Sequence, residues 1–149
     1  MTYSPDYFTA RESWRDWRIE ARNLIDRARV SQGTRVLEIG CGGGGVLRLL
    51  RERGAVAIGV DTLEVALDLA QQRDGAERAW RVTSDGEGNF SSPVTRHPTL
   101  LTRIGEEGAL PFPNAAFDAV IGQHVIEHVA DVDAALREWG RVLTLGGRV

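Results

Sequence analysis

The chain has one cysteine, Cys41, in 149 residues. A lone thiol excludes an intramolecular disulfide and a zinc site built from cysteine alone. No apolar run is long enough to cross a bilayer, and the N-terminus lacks the signal pattern. A cytoplasmic protein with no membrane partner is therefore expected. Basic residues are not in excess: 18 Lys and Arg against 21 Asp and Glu leave a net charge of −3. That balance lacks the footprint of a general nucleic-acid binder, so small molecules are the expected partners. The length suits one compact domain and is short for two.

Glycine, by contrast, is concentrated. Residues 36–45 read Val-Leu-Glu-Ile-Gly-Cys-Gly-Gly-Gly-Gly, an apolar strand entering a loop of almost nothing but glycine. A Cβ in a tight strand-to-helix turn blocks the approach of a ligand and disfavours positive φ; glycine accepts both. A nucleotide-like ligand touching bare backbone is one reading of the loop, and a tight turn alone is the other. Gly40, Gly42 and Gly45 also fit the dinucleotide fingerprint, with Asp61 about 20 residues further on as the ribose-binding acid. Glycines by themselves do not name the cofactor.

Along the chain, residues 10–29 have helical spacing, with Trp14, Trp17, Ala21, Leu24, Ile25 and Ala28 on one broad face and Ser31-Gln32-Gly33 ending it. Strand 34–39, helix 46–53 and strand 56–60 closed by Asp61 form a βαβ unit. Helix 64–73 follows. Residues 74–98 then lose periodicity and gather Gly, Ser, Asp and Pro, as an insertion would; within it, 80–89 reads equally as a hairpin or an open loop. Strands at 100–104 and 117–122 and a helix at 131–143 capped by Asp131 complete the pattern. The alternation predicts an α/β fold: a doubly wound, mainly parallel, Rossmann-like sheet. Residues 1–33 would be a helical segment before it, and 34–149 the binding domain.

Four segments narrow the choice of cofactor. Glu38-Ile-Gly-Cys-Gly-Gly-Gly44 resembles the first motif of class I S-adenosylmethionine-dependent methyltransferases. Glu106-Glu-Gly-Ala-Leu-Pro-Phe-Pro-Asn-Ala-Ala-Phe-Asp118 resembles that family's stretch from strand three to strand four, and Val125-Ile-Glu-His-Val-Ala-Asp131 its segment after strand four. Arg141-Val-Leu-Thr-Leu-Gly-Gly-Arg148 resembles its lead into strand five. Order and spacing both fit, over 34–149 apart from the insertion. The resemblance implies an enzyme that transfers a methyl group from S-adenosylmethionine to a small-molecule acceptor.

It also implies a cofactor-binding set: Glu38, Gly40, Cys41, Gly42, Gly44, Asp61, Thr62, Glu106, Gly108, Ala109 and Gln123. Asp61 accepts hydrogen bonds from the ribose hydroxyls in that reading and caps the next helix in the other. Glu38 reaches the loop amides or the methionine amino group. Glu106 stands where the family has the acid that meets the adenine amino group; Asp is usual there, and the neighbouring Glu107 competes. Leu110 and Phe112 pack near adenine or in the core. The aromatic segment Tyr3, Tyr7, Phe8, Trp14 and Trp17 reads either as a lid over the pocket or as helix packing.

Methyl transfer is an in-line displacement, and a base is needed only where the acceptor loses a proton. His124 and His128, four apart, share a face if 123–129 is helical. His128 matches the family segment and is the better-placed base; His124 does not match it. The same residues fit H-x-x-E-H, so zinc hydrolysis through His124, Glu127 and His128 is an alternative, though a third ligand is hard to find. A non-catalytic cofactor-binding module or inactive fragment is another. Val149 falls where strand five begins, which would leave strand four with an open edge that dimerisation would cover.

Overall fold

A computed structural model describes residues 4–74, 77–78, 99–103 and 109–149. Tyr3, the segment 80–89, Glu106, Glu107 and Gly108 lie outside them. The elements run α1 (Pro5–Glu12), α2 (Trp17–Arg27), β1 (Arg35–Ile39), α3 (Gly45–Glu52), β2 (Val56–Asp61), α4 (Glu64–Asp74), β3 (Glu77–Arg78), β4 (Thr99–Arg103), β5 (Phe117–Gly122), a 3₁₀ turn (Ile126–His128), α5 (Val132–Val142) and β6 (Leu143–Arg148). The sheet order is β3-β4-β2-β1-β5-β6 with every pairing parallel. The doubly wound architecture is as the alternation predicts.

Parallel strands covered on both faces need apolar residues at successive positions, and β1 has them. Val36 joins the core shared with α2, α3 and α4, while Leu37 and Ile39 face Val120, Trp139 and Val142. Leu37, Leu47 and Leu50 are at most 1% exposed, and fully burying such a side chain contributes about 1.5–3 kcal/mol. At the opposite end of the strands, Arg35 donates to Asp118 through its backbone N (2.9 Å), Nε (3.1 Å) and Nη2 (2.7 Å). This ties the start of β1 to β5.

The helix expected over 10–29 is two helices. Ser13 donates both its hydroxyl (2.5 Å) and its backbone N–H to Ala10 O, and Trp14 and Trp17 continue with bonds three residues back. Side-chain competition for the helix carbonyls breaks the run there. The bend leaves Trp14 61% exposed and Trp17 buried. Trp17, Ala21 and Ile25 form the inward face of α2, as the spacing predicts. It ends before Ser31: Arg29 takes a left-handed φ of 53°, and the Val30 N–H closes onto Ile25 O at 3.1 Å.

The sheet edges add one short strand to the expected pattern and correct one expectation. Glu77–Arg78, inside the expected insertion, adds a two-residue strand beside β4, too short to show any period. The edge of the strand at 117–122 is not open, because 143–148 pairs with it as β6, the fifth strand of the expected series. Loss of apolar alternation in Leu-Thr-Leu-Gly-Gly-Arg hides this strand; it bulges between Phe117 and Ala119 and carries Gly146 at φ 81°.

β1 and β5 are neighbours reached from opposite directions of winding. Open α/β sheets bind ligands in the crevice at that reversal, outside the carboxyl ends of the strands. Ile39 and Gly122 end there, and the residues that follow them, Gly40 and Gln123, begin the two loops that flank it.

Candidate functional site

The glycine loop is stitched to the end of β2. Gly40 N and Cys41 N both donate to Val60 O, at 2.8 and 3.0 Å, and Gly44 N donates to Cys41 O at 3.0 Å. Gly42 has φ 53° and Gly40 φ 67°, in the left-handed region that a side chain disfavours. Gly43 and Gly45 serve a different purpose. A Cβ on Gly43 would lie 2.9 Å from Arg73 Nη1, and one on Gly45 2.7 Å from the Trp17 ring. Close packing, not turn geometry, disfavours a side chain at those two positions, at Gly45 against the fixed Trp17 ring and at Gly43 against side-chain ends that would have to shift.

Asp61, at the end of β2, is 7% exposed. Its Oδ2 accepts from Gly42 N and its Oδ1 from Leu63 N, both at 2.9 Å. It therefore orients the loop and also starts the turn into α4. A carboxylate has about four acceptor sites, so both oxygens keep capacity toward a hydroxyl. Burial raises its pKa, opposed by the Leu63, Gly42 and Thr62 amides.

Glu38 is 3% exposed. The Leu47 amide, in the first turn of α3, hydrogen-bonds its carboxyl group, while Oε2 has no partner among the described residues. Burial pushes this carboxyl well above the ordinary range, helped by the charges of Asp61 and Glu12. An orphaned, buried acceptor beside two further acids suits a cationic or hydrogen-donating ligand group. Burial likewise raises the Cys41 thiol, so it acts here as a small apolar wall.

These groups line a cavity of about 990 Å³, at the upper end of the range for ligand pockets. Glu38, Gly40, Cys41, Gly42, Asp61, Thr62, Ala109, Gln123, His124 and His128 all face it. Gly44 does not; it caps α3 with φ 82°. Glu106 and Gly108 lie outside the described residues. Leu110 lines the cavity, and Phe112 instead packs edge-on against Phe117 at 5.0 Å. Arg141 holds this loop by donating to Leu110 O (3.0 Å) and Phe112 O (2.8 Å).

The N-terminal segment forms one wall. Tyr7, Phe8 and Trp17 line the cavity with Arg11 and Glu12, and Trp14 does not. Phe8 lies 3.1 Å from where a Cβ of Gly42 would be. Glu12 bridges Arg73 at 2.8 Å and Arg48 at 3.5 Å, so α1 is tied to both α3 and α4. Arg11 and Glu12 escaped the sequence reading, since a pairing across 61 residues (Glu12 to Arg73) leaves no local spacing to find.

The two histidines do not share a helical face. His124 sits in left-handed backbone, φ 56°, and only Ile126–His128 is helical, as a 3₁₀ turn. His124 instead meets Glu20 (3.4 Å) and Glu127 (3.6 Å). The zinc reading needs two imidazoles presented one turn apart on an α-helix, and this backbone does not present them so. No group of three or more potential metal ligands occurs among the described residues. Gln123 donates to Glu20 at 3.3 Å, and its Oε1 is buried without a partner there.

A family model for a methyltransferase domain matches residues 37–149. The chain belongs to this methyltransferase domain family. The methyltransferase domain is 29% identical over 120 residues to a ubiquinone biosynthesis O-methyltransferase of Mesorhizobium japonicum, covering 80% of this chain and 41% of that one. It is 33% identical over 134 residues to a ubiquinone/menaquinone biosynthesis C-methyltransferase of Xanthomonas oryzae, covering 85% and 45%. The chain thus spans less than half the length of these curated relatives. A solved S-adenosylmethionine-dependent methyltransferase from Aquifex aeolicus shares the fold, with TM-score 0.70 at 15% identity over 96% of this chain and 69% of that one. Among the described residues, no helix of the methyltransferase domain is long and apolar enough to cross a membrane.

Proposed function

We propose that this chain binds S-adenosylmethionine in the cavity between the glycine loop, Asp61 and the loop after β5, and is the donor-binding part of a methyltransferase acting on a small molecule. The observation that carries this is the pairing of Asp61 with Gly42 beside the orphaned Oε2 of Glu38: an acceptor for ribose hydroxyls and an acceptor for an ammonium, on one bare-backbone loop. The group supplies a sulfonium-bound methyl for in-line displacement. The chain's own residues hold and orient it. Asp61 takes the ribose, the Gly40–Gly44 backbone lets the tail approach, Glu38 meets its amino end, and α1 with Phe8 excludes water.

The acceptor enters from the side of Gln123, His124 and His128, where an imidazole takes a proton from a hydroxyl or ammonium acceptor. Relatives named for ubiquinone and menaquinone biosynthesis support an acceptor that is a small molecule. Titration calorimetry with S-adenosylhomocysteine and with NAD tests the assignment. Binding of the first and not the second is expected; binding of NAD alone would overturn it. Cofactor binding without turnover on any acceptor would make the chain a binding module.

A further inference from the structure

Helix α2 buries one face and bares another. Trp17, Ala21 and Ile25 pack inward. Arg15, Arg18, Ile19 and Arg22, related by steps of three and four residues, are all exposed, and Trp14 stands beside them in the turn before the helix. Trp14 is 61% exposed and Ile19 58%.

The charges around these two apolar side chains are unbalanced. Arg15 and Arg22 pair with no carboxylate among the described residues. Arg18 meets Glu52 only at 3.9 Å, between two half-exposed side chains. Of the nearby acids, Asp26 is taken by Arg53 at 2.8 Å and Glu20 turns to Gln123 and His124, which leaves Asp16. The net charge of −3 over the whole chain conceals this local excess of arginine.

Two apolar side chains are too few for a stable protein interface, which buries about 800 Å² on each partner around packed anchors. A second copy of the same face would set arginine against arginine. A lipid surface requires neither a large patch nor shape complementarity. Anionic headgroups attract the guanidinium groups, the arginine stems lie along the interface, and an indole sits at headgroup level.

We propose that the outer face of α2, with Trp14, Arg15, Arg18, Ile19 and Arg22, docks on an anionic lipid surface. The helix lies on that surface and does not cross it. This goes beyond the cofactor reading and stands without it. The same helix puts Trp17 into the cavity wall and Glu20 against Gln123 and His124, so the element that meets the lipid also borders the site.

Flotation of the full chain with vesicles tests this, comparing phosphatidylcholine alone with an equal mixture of phosphatidylcholine and phosphatidylserine. Binding to the mixed vesicles only is expected, and it should vanish in about 1 M salt, where the screening length is about 3 Å. Arg15→Gln and Arg22→Gln should each weaken it by about fivefold, equivalent to about 1 kcal/mol per basic residue near an anionic surface. Tryptophan emission should shift to the blue on the mixed vesicles, and Trp14→Ser should lose that shift. All three side chains are exposed, so melting temperatures should match the parent; the lipid and salt dependence of the unaltered chain needs no variant. Absent binding to the mixed vesicles, equal binding to both kinds, or undiminished binding when both arginines are replaced would overturn the proposal. Dimers in light scattering that disappear in Trp14→Ser would overturn it in favour of a second copy, and capture of polyglutamate without vesicle binding in favour of an acidic protein.

Discussion

Gly42 N donates to Asp61 Oδ2 across 2.9 Å, joining the glycine loop after β1 to the end of β2. One carboxylate thereby orients the loop and faces the cavity. In Asp61→Asn the charge is lost, and the amide NH₂ must oppose either the Gly42 or the Leu63 N–H. S-adenosylhomocysteine affinity should fall by about tenfold or more. Unchanged affinity in calorimetry would remove Asp61 from the ribose-binding role.

Glu38 has its carboxyl pKa raised in the folded chain, chiefly by burial. The folded state therefore holds its proton where the unfolded state has released it, and stability falls as pH rises above the ordinary value of 4.5. Glu38→Gln removes that penalty. Its melting temperature should exceed that of the unaltered chain at about pH 8, and the two should converge toward about pH 5. Affinity for S-adenosylmethionine should change in the opposite sense, weaker in Glu38→Gln. A variant less stable than the parent at the higher pH would show that the Leu47 contact outweighs the burial cost.

The α1 wall gives a third expectation. Helix α1 buries none of its own residues and is too short to be stable alone, so its order depends on Phe8 and the Glu12–Arg73 pair. Deleting residues 1–8 should lower ligand affinity by about tenfold, the scale of one lost aromatic contact, with little loss of helical circular dichroism. Retained affinity would mean that this segment does not cover the ligand.

His128 and His124 are separable by kinetics. With chelator present, and on an acceptor found by metabolite screening, His128→Ala should lower kcat by about 100-fold if proton removal limits the rate, and His124→Ala less. Full activity in His128→Ala would leave alignment of the acceptor as the whole mechanism. Loss of activity on adding chelator to the unaltered chain would revive metal chemistry.

The βαβ start was legible in the sequence because its signals are local. Buried parallel strands are continuous apolar runs, a strand-to-helix turn at a ligand needs glycine, and an acid at the end of β2 lies at a fixed spacing from that loop. Asp131 capping α5 is of the same kind. The motifs around 106–118 and 125–131 were legible as a resemblance, and they carry the family.

What the tertiary structure decided are relations between residues far apart in the chain. The division of the glycine run into turn-forming and close-packed positions depends on Trp17 and Arg73, which only folding brings there. His124 and His128 looked like helix neighbours by count, yet His124 adopts left-handed backbone and turns to Glu20, 104 residues away. β6 lacks alternation and is held as a strand by pairing with β5. Spacing along a chain encodes periodic local structure; long-range charge pairing, packing against glycine and edge pairing have no period, so they emerge only when the core brings their partners together.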